Sequence, residues 1–362
     1  MPEAGRSAAD ESQPARRLRR LQEQGSGRRM VHVNNAVRQV WEQPGGPRPD
    51  RIWLRRRFLH AGRSGAERLD PPISRLVNPR GIALRFYMMA VFEAQCRPPG
   101  QRRPENDRPL SGSGGWGDLF AIDAAYSRPA GRYQRPTRQN RDLGVSMERQ
   151  VKGALRTLEE PADDALVEIP RKPNGRNRDY GRFILMKETG RGRVPTPDRY
   201  TVPGDDTPGR EPGLISIPSE FFLNGWVQVL YPSEIATWLV LRFLRTLFPR
   251  KHNESGVYLY GQVRENVFHL HRDAYEDGCR NLVDFGLIRP ALPTLPKRAD
   301  GAEAESPDWA ALFMMAEQWA EDSQARYQPN RYQLTDSGLD HDALQVTMTT
   351  FHGRRNALEA AR

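Results

Sequence analysis

The feature that most constrains the fold of this chain is an almost wholly apolar stretch at residues 232–248, PSEIATWLVLRFLRTLF. Proline suits the first position of a helix, because its missing N–H would have no partner there, and Glu234 favours the positive end of the helix dipole. Apolar residues fall on nearly every side of this segment, so the sequence predicts a buried helix. Pro249 cannot continue it. The rest of the chain should therefore be organised around this helix.

A series of shorter elements follows the predicted buried helix. Residues 256–260 are rich in β-forming side chains and predict a short strand, and residues 262–268 predict a short helix. An amphipathic helix starts near Arg272 and ends at a glycine. Residues 287–292 and 331–335 predict two strands that pair as a hairpin. The apolar stripe of the amphipathic helix consists of Tyr275, Gly278, Cys279, Leu282 and Phe285.

This order of elements resembles the winged-helix DNA-binding domain. The residues that carry the resemblance are 270–282, the Phe-Gly-Leu-Ile motif at 285–288 and the Tyr-Gln-Leu-Thr-Asp-Ser-Gly motif at 332–338. The resemblance implies that the amphipathic helix is a recognition helix and that the hairpin is the wing. "Helix, Gly-Leu-Ile, hairpin" also occurs in regulators that do not touch DNA, so a protein-interaction module is an alternative.

An earlier part of the chain repeats this pattern. Residues 79–92 align with residues 232–245, and proline, isoleucine and alanine coincide at equivalent offsets. Residues 165–169 and 183–187 predict a second hairpin. A duplicated fold keeps the order of its elements even where identity is low, although two helical segments can also match by chance. In the second helix of each copy, Val151, Ala154, Leu155 and Leu158 align with Tyr275, Gly278, Cys279 and Leu282, and Arg156 aligns with Arg280.

The sequence therefore predicts an α+β fold with two winged-helix domains in tandem, each a helix-turn-helix followed by a β-hairpin wing, and a disordered basic N-terminal tail. The N-terminal residues are polar and rich in arginine, as disordered tails often are, and Met30 is an alternative start. The predicted boundaries are a tail and linker at 1–50, a first domain at 51–203, a Pro/Gly-rich linker at 204–213, a second domain at 214–352 and a tail at 353–362.

The charge of the chain suggests its partner. The 362 residues carry a net charge of +10, and arginine is much commoner than lysine. Such a balance favours a polyanion, above all nucleic acid, although a GC-rich genome also encodes arginine freely. Hydrophobic residues make up only 37% of the chain, so a good part of it is predicted to lie outside a packed core. No apolar run reaches membrane-spanning length, so we expect a cytoplasmic, nucleoid-associated protein without membrane contact.

Basic residues cluster where the first copy would meet DNA. A helix is predicted at 118–126, and the loop 128–141 that follows it could track the phosphate backbone. The predicted helix at 147–158 presents cations opposite its apolar stripe, and the hairpin tip at 171–182 is basic around an Asn-Gly turn. The candidate DNA-binding residues are Arg132, Arg135, Arg138, Arg141, Arg149, Lys152, Arg156, Arg171, Lys172, Arg176, Arg178 and Arg182, with Arg272 and Arg280 in the second copy.

The second copy is predicted to be the poorer DNA reader. Asp273, Glu276 and Asp277 surround its two candidate arginines, and carboxylates repel phosphates. Its wing is interrupted at 297–324, where residues 308–324 predict an acidic amphipathic helix. That helix could cap the domain, or it could contact a second copy of the chain or another protein. Residues 338–351 predict a last helix.

The sequence does not resemble an enzyme. One short motif resembles rolling-circle nucleases: His-Leu-His at 269–271, with Tyr275 nearby. By that resemblance, His269 and His271 would bind a metal ion and Tyr275 would attack DNA. The apolar stripe favours a core tyrosine instead. Phosphate-binding and dinucleotide-binding glycine motifs are absent, so no cofactor is expected. Tandem winged helices resemble transcription regulators and plasmid replication initiators, which implies sequence-specific binding of double-stranded DNA.

Overall fold

The fold is mixed α+β, built mainly of helices with small two-stranded sheets. A computed structural model describes residues 13–25, 29–60, 62–64, 67–77, 81–121, 125–127, 132–134, 143–160, 162–173, 175–192, 197–204, 214–291 and 330–360. Within these ranges, none of the helices has the length and the apolar character that crossing a membrane would require.

The described residues form helices and short two- to five-residue strands, whose bounds are as follows. In chain order, the helices are α1 (Gln13–Gly25), α2 (Arg29–Trp41), α3 (Ser74–Val77), α4 (Ala83–Cys96), α5 (Leu143–Glu159), α6 (Glu220–Leu223), α7 (Trp226–Val229), α8 (Pro232–Leu247), α9 (Pro249–Ser255), α10 (Gly261–Asn266), α11 (Arg272–Asp284) and α12 (Ala343–Ala360). The strands are β1 (Arg51–Arg55), β2 (Gly62–Ser64), β3 (Glu67–Leu69), β4 (Ala125–Ser127), β5 (Arg132–Gln134), β6 (Val167–Glu168), β7 (Ile184–Leu185), β8 (Leu214–Pro218), β9 (Ile288–Pro290) and β10 (Tyr332–Leu334).

Two apolar helices, α4 and α8, lie at the centre of the molecule. Every residue of α4 is buried, and α8 is buried from Glu234 to Leu244, as the apolar residues around it predict. Proline at its first position and the carboxylate of Glu234, which accepts a hydrogen bond from the backbone N of Tyr231 over 2.8 Å, fix the start of α8. The buried side chains form a continuous cluster that includes residues from α1 to α12.

Two helices and a strand pair recur in the same order in the two halves, but the strand pair β4–β5 lies between the helices in the first half, and α9 and α10 lie between them in the second. Helix α4 packs on α5, and α8 packs on α11. Each amphipathic helix is followed by an antiparallel pair of strands, β6 with β7 and β9 with β10, where the sequence predicts hairpins. The aligned helices and hairpins therefore follow one another in the same order in both halves.

Strands β1 and β8 connect the two halves directly. They pair antiparallel along their whole length, from Arg51 opposite Pro218 to Arg55 opposite Leu214. Strand β1 falls in the first predicted domain and β8 in the second. The side chain of Arg242 in α8 donates from Nε to the backbone oxygen of Ser216 in β8 over 2.7 Å, which attaches the strand pair to the central helix.

The prediction of a disordered tail is wrong for residues 13–25 and 29–41, which form α1 and α2. The many arginines obscure a stripe of buried apolar side chains in both helices, such as Leu18 in α1 and Val33 in α2. Helix α1 packs on α12 and α2. At the other end, residues 353–360 continue α12 instead of forming a tail, and Arg354 binds Asp284 and Asn281 of α11.

Two further local predictions are wrong. Residues 116–119 form a short 3-10 turn and residues 125–127 form β4, where the sequence predicts a helix over 118–126. The carboxylate of Asp118 accepts a hydrogen bond from the backbone of Gly114, which stabilises a turn in this glycine-rich segment. Residues 256–260 contribute a single bridge, between Val257 and Tyr332, where a strand is predicted. The predicted helix at 308–324 and nearly all of the linker at 204–213 lie outside the described residues.

Candidate nucleic-acid interface

Helix α5 has one buried side and one charged side. Its sequence buries every third or fourth residue, and the remaining positions face solvent. Arg149 and Arg156 are exposed, as the sequence predicts, whereas Lys152, which the sequence also predicts to face solvent, is half-buried. The buried stripe consists of Met147, Val151, Ala154, Leu155 and Leu158.

The hairpin between β6 and β7 carries a second group of cations. Its loop is closed by backbone hydrogen bonds, from Lys172 N to Asn177 O over 2.8 Å and from Gly175 N to Lys172 O over 2.7 Å. Gly175 has a φ of +71°, a left-handed conformation that glycine adopts without strain. The exposed cations of the loop are Arg171, Lys172, Arg176, Arg178 and Arg182.

Tyr180 joins the helix to the hairpin. Arg156 donates from Nε to the Tyr180 hydroxyl over 2.8 Å, and its Cζ lies 5.4 Å from the ring centroid. The Nζ of Lys152 lies 5.8 Å from the same centroid. The two groups of cations therefore form one surface, which we call the α5 surface and which comprises Arg149, Lys152, Arg156, Arg171, Lys172, Arg176, Arg178, Tyr180 and Arg182. Tyr180 is not among the residues that the sequence predicts for this interface, because its contacts depend on how the hairpin folds back on α5.

Carboxylates neutralise part of the α5 surface. Lys152 pairs with Glu148 over 2.5 Å, which lowers the pKa of Glu148, and Arg178 pairs with Glu159. Within the described part of the chain, Arg149, Lys172 and Arg182 form no ion pair with a carboxylate. These cations can interact with an external anion without first breaking an ion pair.

The candidate cations of the second half are paired along their own helix. Arg272 lies 2.7 Å from Glu276, and Arg280 lies 3.2 Å from Asp277, although both arginine side chains are well exposed. They line an open cleft of about 900 Å³ that Arg264, Arg331, Glu265 and Asp284 also line. The cleft thus has mixed charge, and the weaker part of α11 in DNA binding stays a prediction.

The loop residues of the first half are only partly described. Arg132 begins β5, which pairs with β4, so the predicted loop at 128–141 contains a strand. Arg135, Arg138 and Arg141 lie outside the described residues. The contribution of this segment to the interface stays a prediction.

The geometry does not support a nuclease centre around His269 and His271. His269 has a φ of +51° and so does not lie on a regular strand, where alternation would bring the two imidazoles to one face. Tyr275 is buried, and burial raises its pKa well above the ordinary value for tyrosine. Among the residues that the structure describes, no group of three or more His, Cys, Asp or Glu side chains has the arrangement of a metal site.

Comparison with protein-family models, with curated proteins and with solved structures finds no match to this chain. Inference about its function therefore depends on the geometry and charge of its surfaces.

Proposed function

We propose that this chain is a non-enzymatic protein that binds double-stranded DNA through the α5 surface, with the architecture of two winged helices in tandem. The observation that carries the proposal is the joining of two groups of cations by Tyr180 into one exposed surface. A helix next to a basic hairpin has the shape and charge to contact a groove and the adjacent phosphates. The repeated order of helix, helix and hairpin supports the tandem architecture.

The two parts of the α5 surface have different roles in this proposal. The hairpin cations contact phosphates, so they contribute affinity for every sequence. Arg149 and Lys152 lie on the exposed side of α5, where a helix in the major groove would present them to base edges. Binding is therefore sequence-specific, as a transcription regulator or a replication initiator requires.

The test is a titration of the full chain with duplex DNA at two salt concentrations, using a preferred duplex selected from a random pool and an unrelated duplex. Arg171→Ala/Arg182→Ala should weaken binding to both duplexes and reduce the salt slope by about 0.9 for each lost phosphate contact. Arg149→Ala should cost about 1–3 kcal/mol at the preferred duplex and less at the other.

Arg38→Ala/Arg48→Ala is the matched control, because both side chains are exposed and belong to α2 and to the segment that follows it, not to the α5 surface. It removes the same charge and should change binding little. Arg272→Ala/Arg280→Ala should have a smaller effect than the hairpin variant, because both side chains already pair with carboxylates. Binding that is absent at low salt, or that does not change between low and moderate salt, contradicts the proposal.

A further inference from the structure

A basic face that the sequence analysis did not identify lies on the second hairpin. Val257 pairs with Tyr332, and Tyr332 pairs with Pro290. Because side chains alternate across a sheet, their neighbours in the chain point to the opposite side. Tyr258, Arg289, Arg331 and Gln333 therefore share one face of this small sheet.

Helix α9 is fixed against this face. The side-chain amide of Gln333 donates to the backbone oxygens of His252 and Asn253, each over 2.9 Å. The ring Nε2 of His252 accepts a hydrogen bond from the backbone of Leu334 over 2.8 Å. The cations of α9, Arg250 and Lys251, are thus held beside the cations of the hairpin.

Tyr258 lies among these cations. Lys251 donates to its hydroxyl over 2.8 Å, and the Lys251 Nζ lies 4.3 Å from the ring centroid. The Cζ of Arg331 lies 5.1 Å from the same centroid. The ring of Tyr260 meets that of Tyr258 edge to face at 5.0 Å. We call this surface the α9–β10 face and define it by Arg250, Lys251, Tyr258, Arg289 and Arg331.

The charge of this face is less compensated than that of α11. Arg250, Arg289 and Arg331 are exposed, and in the described ranges none of the three forms an ion pair with a carboxylate. Arg289 instead donates to the side-chain oxygen of Gln333 over 3.0 Å. Glu254 is the acidic residue of α9. Among the described residues of the face, cations therefore outnumber carboxylates.

We propose that the α9–β10 face binds the phosphodiester backbone of nucleic acid, as a second contact surface beside the α5 surface. The proposal rests on the proposed function, because it assigns a second surface to the same partner. Guanidinium groups bind phosphate in a bidentate manner, and the lysine and the tyrosine hydroxyl add further polar contacts. In the second half, the hairpin and α9 then engage nucleic acid, and α11 does not.

A nucleic acid fits this face better than an acidic peptide. Half-buried aromatic rings among arginines are typical of surfaces that contact both phosphates and bases. The cations come from α9 and from both strands of the hairpin, and they surround the ring instead of lining a narrow pocket. An extended chain of phosphates can reach cations spread over such an area.

The experiment compares four full-length proteins, which are the wild type, Arg250→Ala/Arg331→Ala, Arg171→Ala/Arg182→Ala and the combination of the two double variants. Binding is measured against a duplex and against a single strand of the same sequence, at two salt concentrations. Arg250→Ala/Arg331→Ala should weaken binding several-fold and reduce the salt slope by about 0.9 per lost contact on duplex, or about 0.7 on single strand. The combined variant should lose affinity by the product of the two factors.

The outcomes separate the two proposals. Absence of wild-type binding overturns the proposed function. A different result overturns only the inference about the α9–β10 face. In that case Arg171→Ala/Arg182→Ala weakens binding, but Arg250→Ala/Arg331→Ala binds as the Arg38→Ala/Arg48→Ala control does. Competition by polyglutamate as effective as that by nucleic acid of equal charge also overturns it, because the face would then bind acidic peptides. Tyr258→Phe keeps the ring but removes the hydroxyl to which Lys251 donates, so it should weaken binding by less than Arg250→Ala/Arg331→Ala does.

Discussion

At the scale of single residues, Arg17 of α1 makes the most elaborate set of contacts. It is almost fully buried and pairs with Glu234, which is fully buried at the start of α8. Its Cζ lies 4.0 Å from the ring centroid of Tyr231 and 4.7 Å from that of Phe351. Asn281 donates a further hydrogen bond to Glu234 over 2.7 Å. One guanidinium thus connects α1 to α8, and its aromatic neighbours extend the connection to α12.

The first prediction is that Arg17→Ala destabilises the protein strongly. Loss of the guanidinium leaves the carboxylate of Glu234 buried without its ion-pair partner, a change that typically costs about 3–5 kcal/mol. The measurement is the free energy of unfolding in denaturant. Arg16→Ala, an exposed position on the same helix, should change it by no more than about 0.5 kcal/mol. Equal effects of the two variants would mean that the ion pair does not hold α1 in place.

The second prediction concerns Asp336, which binds Arg242 over 2.7 Å and Arg245 over 3.0 Å. Burial raises the pKa of Asp336. Arg242 and Arg245 together lower it by more, so the pKa in the folded protein is below the ordinary value. A lowered pKa gives stability that is present above the unfolded-state pKa of about 3.9 and is lost as the pH falls through the folded-state value.

Asp336→Asn should therefore be less stable than the wild type at neutral pH, by about 1–3 kcal/mol. The difference should start to shrink as the pH falls below about 4, because the carboxylate of the unfolded chain binds a proton there, and it should be largely lost once the folded-state carboxylate is protonated as well. Unfolding curves across this pH range give the measurement. A difference that stays constant down to low pH would show that the charge of Asp336 does not stabilise the fold.

Residue contacts of this kind were only partly accessible from the sequence. The buried stripe of α5 could be predicted, because its periodicity is local and its members are apolar. Arg17 looked like one more cation in a polar tail, because its partner Glu234 is 217 positions away in the chain. The same holds for Arg331 and Tyr258, which meet only after the second hairpin has formed.

At the scale of elements, long helices could be predicted and short strands could not. Helix α8 has its start and end where the prolines at 232 and 249 place them. Residues 256–260 contain good β-forming side chains, yet they pair at a single point. Gly256 has a φ of +77°, and a Cβ there would lie 2.5 Å from that of Ala291. Close packing at this glycine, not β-propensity, decides the local structure.

The third prediction compares two glycines in amphipathic helices. A Cβ at Gly278 of α11 would lie 2.8 Å from the Thr237 hydroxyl oxygen and 3.2 Å from the Thr237 Cβ in α8. A Cβ at Gly153 of α5 would have no neighbour within 4 Å. Alanine favours a helix over glycine by about 0.5–1 kcal/mol, so Gly153→Ala should stabilise the protein by about that amount.

Gly278→Ala should instead destabilise it by about 1–3 kcal/mol, because α8 and α11 must move apart. Thermal unfolding of both variants gives the measurement. If Gly278→Ala raises the unfolding temperature as Gly153→Ala does, the close approach of α8 and α11 at this position is not required.

At the scale of the whole molecule, the two halves share a core and a strand pair. The sequence shows two similar patterns separated by a Pro/Gly-rich segment, which is typical of a boundary between independent domains. Pairing of β1 with β8 is a long-range contact, and no local pattern in the sequence predicts it. The sequence could therefore predict the repeated order of elements but not the way in which the halves are joined.

The fourth prediction is that the halves stay associated after the chain is cut between them. A protease site is inserted between residues 205 and 213, and the folded protein is cleaved and passed over a size-exclusion column. The β1–β8 pair and the shared core should keep both pieces in one peak until denaturant is added. Two separate folded peaks without denaturant would mean that the halves are independent domains.

The buried position of Arg17 also has a consequence for the biosynthesis of the protein. Helix α1 leaves the ribosome before Glu234, which lies 217 residues further along the chain, and α12 follows later still. At about 5–20 residues per second, α1 waits roughly 10–40 seconds for the carboxylate that neutralises its arginine. During this interval its amphipathic surface is open to ribosomal RNA and to chaperones. Synthesis of α8 and α12, and not of the first half alone, therefore sets the time at which α1 docks.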